Sequence, residues 1–450
     1  MKVAFVHFRV GLTDGVSFEI DKRKALVESL GHKVLLIAGS HAGPIDLHIP
    51  AFEYKSDPDV AEVDRLAFIP DAGTQLRAKV AEMAGTMRTN LEAFYAKHRF
   101  GVLFLHNLFC LPVCLPGSLV FKEFLEAHPE VKCIATHHDF YWEPPREQRF
   151  AFTNPYAQEL LRQCFPPDLP NLRHVTINSL AQKDLREKNG IEAEIVTDTF
   201  DFSQPGWTRE SHPSAFREDV KISAGDIVFM TGVRVRKRKA VELAIDTVAE
   251  VTRRKAELVG KTKYDGTPIP PDSRVVFLIP GEYTSKEKPY VDALKRRAKE
   301  QGVEVRWIAD LVGSEDQKAK GERKYNLWDC YVWSDYVLYT SHWEGWGNQF
   351  IEAVFARKPI AVFEYPVFVS DIATQGFRVA SLGSCYQTGS DGLIMVPQEK
   401  VAAAATEILA TLTNPDRYRE QTDTNFAIGA KHYDTNTQLK AHVLSVFALK

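Results

Sequence analysis

Short apolar or β-branched runs, polar turns and amphipathic stretches alternate along the chain. The first series of runs is KVAFVHF from Lys2, KVLLIA from Lys33, GVLFLHN from Gly101, KCIATHHD from Lys132 and HVTIN from His174. A second series follows with DIVFMTG from Asp226, RVVFLIP from Arg274, VEVRWIA from Val303, DYVLYTS from Asp335 and PIAVFEY from Pro359. Continuous apolar strands alternating with helical stretches imply parallel sheets covered on both faces. Two such series predict an α/β protein of two doubly wound, Rossmann-like domains. The stretch between Phe200 and Asp226 is polar, Pro-containing and without period, as a linker should be. The expected division is therefore 1–210 and 211–430, with a C-terminal helix near 430–450 packing back on the first domain. Gly260 to Ser273 reads as a surface loop of the second domain.

Composition narrows the class. A chain of 450 residues exceeds one ordinary core, in keeping with two domains. Its 44% hydrophobic and 26% charged residues are ordinary for a soluble folded protein. A formal charge of −3 gives no global attraction for a polyanion, so any phosphate-binding surface must be local. The N-terminal apolar run is too short for a secretory signal and reads as a buried strand. The most apolar stretch, Phe100 to Phe121, is interrupted by His106, Asn107, Pro112 and Pro116, which disfavours a membrane span. The six cysteines lack metal-type pairing and read as buried thiols of a reducing, cytoplasmic compartment.

Ligands of open α/β sheets collect beyond the carboxyl ends of the strands. Those ends carry Arg9 and Gly11, His106 and Asn107, His137 to Asp139, Gly232 and Arg234, and Ser341 to Gly347. Two segments stand out. Ser341-His-Trp-Glu344-Gly345-Trp346-Gly347-Asn348-Gln-Phe-Ile-Glu352 runs from a strand into a helix. Its glycines let backbone N–H groups at a helix N-terminus approach an anion, and a carboxylate such as Glu352 can accept ribose hydroxyls. The other segment, Thr231-Gly232-Val-Arg234-Val-Arg-Lys-Arg-Lys239, puts five basic residues into six positions after a strand. That suits a diphosphate, or equally a solvated basic face.

Together these segments resemble the retaining glycosyltransferases of family 4, and the resemblance extends over essentially the whole chain. It implies the GT-B architecture, two Rossmann-like domains facing a cleft. It also implies a metal-independent transfer of mannose or glucose from a nucleoside-diphosphate sugar, GDP- or UDP-linked, to a hydroxyl acceptor. No further cofactor is implied. By resemblance Arg234 and Lys239 contact the donor diphosphate, Glu344 the transferred sugar and Glu352 the ribose. Gly345, Trp346 and Gly347 present backbone donors, with Asn348 opening the helix. The family often has Gly where this chain has Ala240, and Ala is read here simply as the better helix former. In the first domain Gly15 carries over from a glycine-rich loop, and His138 from a T-x-H-D strand ending that reaches the reacting centre. Asp14, His106, Asn107, Asp139, Tyr141 and Trp142 are candidate acceptor contacts. The start of the chain is similar to enzymes that mannosylate or glucosylate small acceptors such as glucosylglycerate in compatible-solute synthesis. The expected partners are thus a nucleotide sugar and a small acceptor, with no nucleic acid and no membrane insertion, and a homo-oligomer is left open. A disaccharide phosphorylase of the same fold is the nearest alternative. A nucleic-acid-binding protein using residues 234–239 is the alternative of another class.

Overall fold

The computed structural model describes residues 1–12, 15–144 and 146–448. The chain divides into two units, one formed by residues 1–199 with 435–450 and the other by residues 200–434.

In the first unit, β1 (Lys2–Val6), β2 (Lys33–Ala38), β3 (Leu47–His48), β4 (Val102–His106), β5 (Lys132–His137), β6 (Leu172–Thr176) and β7 (Ala193–Ile195) form one parallel sheet. Its order is β3-β2-β1-β4-β5-β6-β7. Val3 to Val6 lie between Val34–Ile37 on one side and Val102–Leu105 on the other. All four are fully buried, which explains why the strand reads as an unbroken apolar run instead of an alternating one. Helices α1 (Gly15–Ser29) and α2 (Gly73–His98) follow β1 and precede β4. Val443 and Val446 of the chain's last helix share a core with Val3, Phe5 and Val27.

The second unit repeats the plan. Strands β8 (Ile227–Met230), β9 (Val275–Ile279), β10 (Glu304–Trp307), β11 (Tyr336–Tyr339), β12 (Ile360–Val362) and β13 (Ala380–Ser381) lie parallel in the order β10-β9-β8-β11-β12-β13. Helix α3 (Val241–Arg253) follows β8, and α4 (Asn348–Phe355) follows β11. In each sheet the chain winds outward from one strand and then starts again on its other side. That switch falls between β1 and β4 and between β8 and β11, and such points are where doubly wound sheets bind ligands. The strand order therefore sets the loop after β8 beside the loop after β11, the two segments singled out by motif.

Three expectations change. The second unit begins at Phe200, ahead of residue 210, because Phe200, Phe202 and Trp207 pack on Phe355 with ring centroids 4.9–5.7 Å apart. The stretch from Gly260 to Ser273 is not wholly a surface loop. Lys263 is buried with its Nζ 3.2 Å from Asp335, and Tyr264 stacks on Tyr418 at 3.6 Å. Ala240 does not begin a helix in helical conformation: it precedes α3 at φ 45°, ψ 49°. Glycine is favoured here for its left-handed freedom, and helix propensity is beside the point. Thr340 Oγ1 donates to the Ala240 carbonyl at 2.9 Å and lies 3.3 Å from that of Lys239, bonding the turn as it stands.

Two stability predictions follow from these features. The left-handed alanine costs about 1–2 kcal/mol, and glycine there forfeits about 0.4–1 kcal/mol through unfolded-chain entropy. Ala240→Gly should therefore raise the urea midpoint of the second unit, by about 0.5–1 kcal/mol of stability; a lower midpoint would show that Ala240 is not strained. The second prediction concerns acid. Burial, above all, pushes His106, His137 and His138 well below the ordinary imidazole value of 6.5, and His174 to about 4. The unfolded chain takes up these protons as pH falls through 6.5 while the folded strand ends refuse them until lower. Their contribution is full above pH 6.5 and is lost on acidification below it, for His174 down to about 4. Calorimetry at pH 7.5 and pH 5 should show the first unit melting earlier in acid, with the shift reduced in His174→Gln.

Candidate functional site

The loop after β8 and the loop after β11 are laced together in the second unit. The backbone N–H of His342 donates to the Arg238 carbonyl at 3.0 Å. In return Arg238 Nη1 donates to the Trp343 carbonyl at 3.0 Å. Thr340 adds its hydroxyl to the carbonyl of Ala240. Within this lacing Glu344, 9% exposed, receives Lys239 Nζ on one carboxylate oxygen and Arg238 Nη1 on the other. Lys239 is itself 5% exposed, and its Nζ lies 3.5 Å from Gln349 Oε1. Burial alone would raise the Glu344 carboxyl; the two cations outweigh it and hold it below its ordinary value. A charge pair this enclosed persists because each carboxylate oxygen of Glu344 receives a cation.

The rest of the second segment is placed by close packing. Gly347 caps α4, and a Cβ there would stand 2.7 Å from the Tyr365 hydroxyl, which donates to the Trp346 carbonyl at 2.8 Å. Trp346 is 4% exposed and its indole packs edge-on to Tyr433 at 5.3 Å. Gly345, Asn348 and Glu352 are half-buried. Glu352, one turn into α4, has Oε2 3.1 Å from the Tyr331 hydroxyl, which also lies 3.2 Å from the Gln349 carbonyl. Burial first, then Glu352, raises the Tyr331 phenol well above its ordinary value, so it acts as a donor. Arg234 is exposed on its loop, ahead of the inward-turning Arg238 and Lys239. A Cβ on Gly281, just beyond β9, would meet the Val233 carbonyl at 1.8 Å, so only glycine lets the β8 loop lie where it does.

In the first unit the residues at the switch point are turned inward. His138 is 7% exposed and has Nε2 3.0 Å from His106 Nδ1. Its backbone N–H donates to Asn107 Oδ1 at 2.8 Å. His106 is fully enclosed and Asn107 is 3% exposed. Gly15 is exposed at the start of α1, while Asp14 lies outside the described residues. Asp139 accepts from Arg146 at 2.8 Å. Tyr141 and Trp142 are half-buried with rings edge to face at 5.0 Å. Between them and Arg146, burial and then Asp139 push the Glu143 carboxyl up to about 8.

The motif residues Lys239 and Glu344 thus converge in the structure, and Glu352 follows on the same loop-helix connection. Sequence reasoning missed Arg238, Tyr331, Tyr365, Gly281 and Glu143. Arg238 lay inside the basic run, and Gly281 ends a strand as Gly232 follows one; the tyrosines carried no signal beyond an apolar position.

Comparison with known proteins places this geometry. No family model matches the chain. It is 35% identical over 415 residues to a mannosylglucosylglycerate synthase of Petrotoga mobilis, covering 92% of this chain and 94% of the relative. To a mannosylglucosylglycerate synthase of Thermotoga maritima it is 32% identical over 448 residues, covering 96% of each. Among solved structures, HepE of Anabaena with UDP and glucose superposes with a TM-score of 0.61 at 14% identity, covering 100% of both chains, a likeness of fold. The sheets described above are accordingly the two Rossmann-like domains of the GT-B class. The chain belongs to the family of mannosylglucosylglycerate synthases and is a glycosyltransferase.

Proposed function

We propose that the chain transfers a mannosyl residue, with retention, from nucleoside-diphosphate mannose to a hydroxyl of a small glycerate glycoside, glucosylglycerate by its relatives' name. The base is guanosine or uridine. The observation that carries this reading is the enclosed Lys239–Glu344–Arg238 cluster at the switch point of the second unit, one helical turn from Glu352.

The leaving diphosphate is a dianion that needs charge compensation arranged before the reaction. Lys239 and Arg234 supply cations on one loop, and the backbone of Gly345, Trp346 and Gly347 supplies N–H groups at the start of α4. Glu344 takes hydroxyls of the transferred sugar, and Glu352 those of the ribose, held toward them by the Tyr331 hydroxyl. Because the chain's own cations neutralise the diphosphate, the reaction runs without a divalent ion. Attack on the same face as the departing diphosphate, whose oxygen removes the acceptor proton, accounts for retention without a carboxylate nucleophile. The first unit takes the acceptor side, with His138 at the reacting centre, Gly15 toward the donor, and Asp139, Tyr141 and Trp142 toward the acceptor. Residues 234–239 serve the donor and not a nucleic acid, since Arg238 and Lys239 are turned onto Glu344.

The test is a transfer assay with GDP- and UDP-mannose against glucosylglycerate, with product anomericity read by NMR. Lys239→Ala should lower kcat by about 10²–10³-fold, with the native circular dichroism retained; near-wild-type turnover would remove the diphosphate role. Inorganic phosphate with a glycoside giving sugar phosphate, and no turnover of either nucleotide sugar, would establish the phosphorylase instead. EDTA should leave the rate unchanged; loss reversed by a divalent cation would overturn the metal-free reading.

A further inference from the structure

The ends of β1, β4, β5 and β6 in the first unit gather five histidines, none more than 7% exposed: His7, His106, His137, His138 and His174. Two of them have a settled arrangement of protons. His174 Nε2 lies 3.1 Å from the Pro167 carbonyl, so it donates, and its Nδ1 then accepts from His137 Nε2 at 2.9 Å. That pair is bonded between β5 and β6, with His137 Nδ1 left buried without a partner. The other group, around His138, is built differently, because every nitrogen of this one residue faces a polar group on another segment.

Its backbone N–H is held by Asn107 Oδ1, its Nε2 by His106 Nδ1, and its Nδ1 stands 3.7 Å from Asp198 Oδ1. The carboxylate favours a proton on Nδ1 of His138. Nε2 then accepts, and His106 Nδ1 is the donor. The holders are fixed in turn. His106 stacks between Phe5 at 6.3 Å and His138 at 5.3 Å, and its carbonyl accepts from His7 Nδ1 at 2.9 Å. Asn107 sits at φ 58°, a conformation asparagine tolerates, with its N–H on the Thr136 carbonyl at 3.0 Å. The charged groups facing the cluster are Arg23 on α1, paired at 2.8 Å to Glu19 of the same helix, and Asp198 beyond β7. Burial first, then Arg23 and His7, lowers the His138 imidazole well below its ordinary value, so it stays neutral. Ring orientation, ring tautomer and backbone position of His138 are thereby set from three separate segments, more than satisfying one buried side chain requires.

We propose that His106 and Asn107 are positioning residues that hold His138 by its ring and its backbone N–H, with Asp198 orienting the ring, and that they are not acceptor ligands. This rests on the placement of His138 at the reacting centre. A shift of about 1 Å in a group at the reacting centre can cost about 10²-fold in rate while leaving binding largely alone. Asparagine can replace the essential atom of His106, because its Nδ2 occupies nearly the place of the imidazole Nδ1.

The experiment is steady-state kinetics of wild type, His106→Leu, His106→Asn, Asn107→Gly and His138→Ala with the mannosyl donor and glucosylglycerate. The melting shift induced by nucleoside diphosphate serves as a control for folding. His106→Leu and Asn107→Gly should lose about 10–100-fold in kcat with the acceptor KM within about threefold of wild type. His106→Asn should recover to within about fivefold of wild type. A raised acceptor KM with kcat unchanged in His106→Leu would overturn the proposal in favour of an acceptor contact. Wild-type kcat in His106→Leu beside an inactive His138→Ala would overturn the coupling alone. Wild-type kcat in His138→Ala would overturn the placement of His138, and this proposal with it.

Discussion

The buried contact of Lys239 and Arg238 with Glu344 is the constraint on which the second unit's binding face depends. It joins two loops that are distant in sequence and adjacent only because the sheet switches direction between β8 and β11. A lysine and a glutamate at this depth cost several kcal/mol each to remove from water, and removing one partner strands the other. The pair therefore fixes the relative position of the loops more firmly than surface salt bridges could. Thr340 ties the two backbones directly, while Gly281 seats the loop after β8 and Tyr365 the loop after β11.

The first unit solves a related problem without net charge. Its strand ends carry imidazoles, kept neutral by burial and by the nearby Arg23, and neutral rings can chain together where charged ones would repel. One unit is thus organised by a charge cluster, and the other by neutral hydrogen-bonding groups.

Much of this was legible in the chain. Each of the ten runs contains a parallel strand; the central ones are apolar because both faces are covered, as Val3 to Val6 and Val275 to Ile279 are, whereas the edge strand β10 carries half-buried Glu304 and Arg306. The glycines, acids and bases at strand ends marked the two loops that meet. Less legible were features decided by tertiary contact. Arg238 resembles any exposed arginine of a basic run until Trp343 offers its carbonyl. Ala240 reads as a helix former, whereas the structure holds it in left-handed geometry with its carbonyl bonded to Thr340. His106 and Asn107 sit at a strand end, from which a side chain can face solvent or core, and only the position of His138 decides which. The linker reads as patternless because its apolar contacts, Phe200, Phe202 and Trp207, are too few and too irregular to show a period.

The left-handed alanine ahead of α3 has a consequence for affinity. Its strain belongs to the loop that carries Lys239, and it is present before any ligand arrives. A ligand whose phosphates compete with Glu344 for Lys239 changes the forces on that loop, and any relaxation of Ala240 toward ordinary backbone angles is released as binding free energy. At about 1–2 kcal/mol, the strain is equivalent to roughly a 5–30-fold change in the dissociation constant. Ala240 is itself fully buried, so on the proposed reading exchanging its methyl group for hydrogen tunes donor affinity through the backbone of the loop alone.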